Sequence, residues 1–191
     1  RQIPLESLPE PVADHLVSAL VSAQARSRVG RWELDRIAWA LGKELPGPLV
    51  ALKGCAYVLA ETPNWQGRMF NDVGLLARKD DLPTLEAALK ARGWQSSPVS
   101  EYDDRYYRTW AHELPPLKHR ERGVELDLHH NLLMATARQK PSAELLVAGA
   151  VPGPGSRFHV LAPIDMTLHA MTHLLMGEMD DGLRELVDID Q

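Results

Sequence analysis

One cysteine, Cys55, stands in a sequence of 191 residues, so an internal disulfide framework is excluded and a reducing, cytoplasmic setting is expected. Long apolar runs are also missing. None approaches the roughly 20 residues of a bilayer span, and the N-terminal residues carry no signal-peptide pattern, so no membrane association is expected. Positive charge is not in excess: 21 Lys and Arg face 26 Asp and Glu, for a net charge of -5. That balance argues against the basic, phosphate-tracking surface of a nucleic-acid binder. Repeats and low-complexity tracts are absent. What remains is an ordinary globular composition, 45% hydrophobic, long enough to bury one sizeable core.

Helical periodicity opens the chain. Val12, Leu16, Leu20, Val21 and Ala25 predict one amphipathic helix over residues 11–27, and Leu34, Ile37, Ala38 and Leu41 predict a second over 31–45. Pro46-Gly47-Pro48 stops the second. Residues 1–46 are therefore expected to form an N-terminal helical segment, and residues 47–191 the main core. In that core, short apolar runs predict strands at 49–52 and 73–77, with a short helix at 55–60 between them. Asp80-Asp81-Leu82-Pro83 opens a helix that ends at Gly93, its acids beside the positive end of the helix dipole. Residues 106–112 and 124–130 read as antiparallel strands joined by a charged turn over 118–123. A helix over 141–148, a Pro/Gly loop over 151–155, a short strand at 158–161 and helices from Pro163 onward complete an α/β (α+β) order: a mixed sheet with flanking helices and an N-terminal helical pair.

Three segments carry chemistry. Lys53-Gly54 follows an apolar strand and precedes a helix, so backbone amides at the helix start suit a phosphate and Lys53 adds charge. Asp72 enters the apolar run Val73-Gly74-Leu75-Leu76; a buried carboxylate must be hydrogen-bonded, paired or metal-bound, and pairing with Arg68 is the plain alternative. In Glu125-Leu126-Asp127-Leu128-His129-His130, strand alternation puts Glu125, Asp127 and His129 on one face. That face is either solvated or part of a cation site. His129 and His130 point to opposite sides and cannot share an ion. His169 and His173 have the i, i+4 spacing of a zinc pair, with Asp165 one turn earlier, although Leu168, Leu174 and Leu175 make a core helix the stronger reading.

In order, Leu52-Lys53-Gly54, Arg68, Asp72-Val73-Gly74-Leu75-Leu76, Gly93-Trp94 and Glu125-Leu126-Asp127-Leu128-His129-His130 resemble the uncharacterised nucleotidyltransferase family of the polymerase-β-like superfamily. Leu161-Ala162-Pro163-Ile164-Asp165, His173 and the stretch 183–189 continue the likeness, which covers residues 47–190. The resemblance implies a nucleotidyltransferase core that moves a nucleoside monophosphate from an NTP to an acceptor. It implies Mg²⁺ held by Asp72 and Asp127 as catalytic carboxylates, with Lys53, Gly54 and Arg68 at the nucleotide. The family pattern has Asp or Glu at position 74, where this chain has Gly74. Impaired catalysis, or a non-catalytic member kept for nucleotide binding or protein contact, is therefore the alternative expectation.

Overall fold

A computed structural model describes residues 4–42, 47–67, 72–176 and 182–190. Arg68 lies outside the described residues. The two expected N-terminal helices are one: α1 (Glu10–Leu41) runs for 32 residues, about 48 Å at the α-helical rise. It opens with Pro11 in its first turn, where a missing N–H costs nothing, and ends on Gly42 at φ 60. The predicted break near Gly30 does not occur. Ala23, Ser27, Gly30, Leu34, Ile37, Ala38 and Leu41 are buried along one face at spacings of three and four. Glycine costs such a helix about 1 kcal/mol, less than this stripe gains by burial.

The described residues form seven strands, β1 (Val50–Ala51), β2 (Asp72–Leu76), β3 (Trp94–Ser96), β4 (Leu117–His119), β5 (Glu125–His129), β6 (Val151–Pro152) and β7 (His159–Val160). They form one mixed sheet in the order β3-β4-β5-β2-β1-β7-β6. Pairing is parallel for β2 with β5 and for β1 with β7, and antiparallel elsewhere. β5, β2 and β1, which carry or lead into the candidate residues, are thus neighbours. Between them stand α2 (Lys53–Ala60), α3 (Leu82–Lys90), α4 (Glu101–Thr109) and α5 (Ala143–Gly149), and α6 (Pro163–Met176) and α7 (Gly182–Asp190) follow the last strand.

One expectation is overturned outright. Residues 106–112, read as a strand, lie mostly in α4 and its C-terminal exit. The Ser100 hydroxyl accepts from the Asp103 N–H, and Arg108 donates to Asp104 one turn back, so capping and pairing overcome the β preference of the aromatics. The antiparallel partner of β5 is instead β4, joined by a turn through Gly123 at φ 71, where a side chain would be strained. The loop expected over 151–155 begins as the edge strand β6.

Alternation along the strands sorts the sheet into two faces. Ala51, Val73, Leu75, Ala77, Leu126 and Leu128 join the larger core, which α1, α2 and α3 cover. Val50, Leu52, Leu76 and Leu161 join a smaller core with Ala143 and Val147 of α5. Asp72, Gly74, Asp127 and His129 share the parity of Leu76 in register, so they belong to the second, less covered face.

Candidate functional site

The parallel register of β2 and β5 sets Asp72 opposite Glu125, Gly74 opposite Asp127 and Leu76 opposite His129. Asp72 and Asp127 are diagonal neighbours, with backbones roughly 8 Å apart from strand spacing and rise. Asp127, Lys53, His112, Glu113, His129 and His169 line a cavity of about 600 Å³ beside α6. Asp72 does not line it. It borders a separate cavity of about 350 Å³ with Arg26, Glu33 and Arg122, at the start of β2.

Lys53 is the first residue of α2 and holds φ 50, a left-handed conformation that a non-glycine residue adopts only under constraint. Its charge is felt across the cavity. Burial pushes the Asp127 carboxyl up to about 7, neighbouring Glu113 and Asp72 push in the same direction, and Lys53 opposes them. Burial also raises Glu113, against Lys53. The histidines move the other way. Burial holds His129 well below its ordinary value, and His169 falls to about 3 from burial with Lys53 adding to it. His112 is lowered for the same two reasons, in the same order. Cys55 is buried with its thiol pushed up, which leaves it no part as a nucleophile.

Glu113 reaches the site because it bridges antiparallel to His129, and its Oε2 lies 3.2 Å from His129 Nδ1. His112 stacks on His129 with ring centroids 5.4 Å apart. A Cβ at Gly74 would meet only Leu52 Cβ at 3.5 Å and His129 Nε2 at 3.7 Å, both ordinary contacts. Position 74 therefore has room for a side chain, and His129 stands where that side chain would lead. His173 pairs with Glu185, tying α6 to α7, and Asn64 donates to Asp188 at 2.6 Å.

The family model described as "Uncharacterised nucleotidyltransferase" matches residues 1–191. This chain belongs to that family. No curated protein and no solved structure matches it. The match takes in α1 as well as the sheet, beyond the span that the sequence motifs covered.

For a family of nucleotidyltransferases a divalent cation is the natural companion of the substrate phosphates. The carboxylates of Asp72 and Asp127 accept no hydrogen bond and make no ion pair among the described residues. Asp127 feels three other carboxylates, Glu113, Asp72 and Glu125, against one lysine, so its negative charge is only partly compensated. This is a donor set that fits a hard cation. The sequence pointed to Lys53, Gly54, Asp72 and Asp127, and Gly54 is buried in the first turn of α2. Glu113 and His112 were missed. No sequence pattern marks them, because their approach depends on a single bridge between a loop and the end of β5.

Proposed function

We propose that this chain binds a nucleoside triphosphate with its phosphates at the start of α2 and transfers the nucleoside monophosphate to an acceptor nucleophile. The observation that carries this reading is Asp127, a largely buried carboxyl held near neutrality beside Glu113 and Asp72, on the strand next to β2. Amides at the Gly54 end of α2 and the Lys53 ammonium would take phosphate oxygens. Arg68 is proposed as a further nucleotide contact. Asp72 and Asp127 would hold Mg²⁺, which when bound neutralises charge on the triphosphate. Asp127 takes the acceptor's proton as the acceptor oxygen bonds to the α-phosphorus. The bridging P–O bond breaks and pyrophosphate leaves with its electron pair. The value near 7 belongs to the cation-free protein; a Mg²⁺ ligated by Asp127 would hold that carboxyl ionised, and its second oxygen would be the one to take the proton.

Gly74 favours a second reading, in which the chain binds nucleotide with little or no turnover. Position 74 offers no ligand to a second cation, and Asp72 borders a different cavity from Lys53. Calorimetry with ATP, GTP, CTP and UTP plus Mg²⁺, followed by label transfer from α-labelled NTPs, separates the readings. Binding with slow transfer that disappears in Asp127→Asn supports transfer; binding without transfer supports the second. No affinity for any nucleotide would refute both.

A further inference from the structure

We propose that His112, Glu113 and His129 form a binding site for one borderline divalent transition ion, Zn²⁺ foremost, distinct from the carboxylate pair Asp72 and Asp127. Among the described residues this is the one trio of His, Cys, Asp or Glu whose donor atoms all lie within 4.8 Å of one another. Neither Asp72 nor Asp127 belongs to it.

Its geometry suits a metal. Ligands at zinc distances in a tetrahedron stand roughly 3.3 Å apart, and His129 Nδ1 and Glu113 Oε2 are 3.2 Å apart. The third donor, on the His112 ring that stacks on His129, lies within 4.8 Å of both others. The close Glu113–His129 contact accounts for two members of the trio but not the third. His112 Nδ1 is buried with no hydrogen-bond partner, so that ring keeps a polar atom for which the fold supplies nothing.

The donor chemistry sets the ion. Two imidazoles and one carboxylate favour Zn²⁺ over Mg²⁺, which takes oxygen ligands. Three protein ligands leave a coordination position free, and the trio lines the 600 Å³ cavity, so that position opens to a water or a substrate oxygen. Lys53 faces the same cavity and opposes a cation there, as His169 and His173 would if charged, while Asp127 favours one. His129 follows Asp127 by two residues on the same face of β5, which sets the ion roughly 6–7 Å along the strand from it. A nitrogen-ligated ion would thus stand close to where position 74 lacks its carboxylate.

The experiment needs neither turnover nor nucleotide. Chelator-stripped protein is dialysed against Zn²⁺ with excess Mg²⁺ and its metal content measured, with Co²⁺ as a spectroscopic substitute. One equivalent of Zn²⁺ is expected, with the intense visible absorption of tetrahedral Co²⁺. His112→Ala and Glu113→Gln should each weaken Zn²⁺ by at least the roughly 10–100-fold that even outer partners of a ligand are worth. Asp72→Asn should leave the stoichiometry unchanged. No retained Zn²⁺, or undiminished retention in a folded His112→Ala/Glu113→Gln double variant, would overturn the site. So would a purely octahedral Co²⁺ spectrum. Stoichiometric Zn²⁺ in a protein without nucleotide affinity would remove the transferase reading and leave this one standing.

Discussion

Lys53 and Asp127 are the two residues at which local physics and chemistry meet most directly. Lys53 sits at φ 50, a region that costs an L-residue roughly 1–2 kcal/mol. Lys53→Ala removes the charge and keeps the strain; Lys53→Gly removes both. Both variants should lose about 1.5–3 kcal/mol of nucleotide affinity by calorimetry. The glycine variant should nevertheless unfold at the higher temperature, by about 1 kcal/mol in stability. Equal melting of the two would show that the backbone at 53 stores no strain. Asp127 gives the opposite trade. Its carboxyl is raised to about 7, so the folded state holds the proton more tightly than the unfolded chain. This group's contribution is most favourable at acid pH and is lost as pH rises from about 4 through 7. Asp127→Asn should therefore stabilise the cation-free protein at pH 8, on the order of 4 kcal/mol at most, and leave it unchanged near pH 4. The same substitution should abolish Mg²⁺-dependent nucleotide binding. Denaturant melts at both pH values check the first part, and a variant less stable at pH 8 would contradict the uncompensated charge.

At the scale of elements, the strands that matter were legible because each is a short apolar run with a polar residue at one parity. β1, β2 and β5 follow from Val50, Val73, Leu75, Leu126 and Leu128, whereas the shared face of Asp72 and Asp127 rests on the parallel register of β2 with β5. What the sequence hid depends on long-range contact. Gly30 looks like a helix break until its burial is known, and the aromatic run of α4 looks like a strand until Ser100 is seen capping it. Glu113 cannot be found at all without the bridge to His129. The same reasoning governs position 74. A Cβ there meets nothing closer than 3.5 Å, so Gly74→Asp should fold, but a carboxylate directly opposite Asp127 should cost the cation-free protein about 1–3 kcal/mol. Its carboxylate would extend toward His129 Nε2. It should strengthen Mn²⁺ or Mg²⁺ binding in titrations with nucleotide present and raise label transfer above wild type. Tighter metal binding with no gain in transfer would place the limit at the acceptor rather than at position 74.

Over the whole molecule, α1 joins two unlike parts. From Ala23 it buries a residue in each turn, and from Leu34 to Leu41 it is built into the larger core, with Leu34 and Ile37 almost fully enclosed. Before Ala23 it buries no residue: Val12, Leu16, Val17, Leu20 and Val21 are all exposed. Hydrophobic stabilisation follows area removed from water, so the first half of the helix contributes little to the fold and the second half a great deal. We propose that the boundary between appendage and core falls inside α1, near Ala23, rather than after it. Deleting residues 1–21 should shift the thermal midpoint by no more than a few degrees, about what 1 kcal/mol is worth in a chain of this size. Ile37→Ala should cost about 2–5 kcal/mol, because it opens a cavity under the sheet. Melting the truncated chain and the point variant beside the full chain tests both. If the truncation costs as much as Ile37→Ala, the exposed half of α1 is held by contacts that its apolar surface conceals. If it costs little and also lowers self-association in scattering, the stripe of Val12, Leu16 and Leu20 is a surface turned outward.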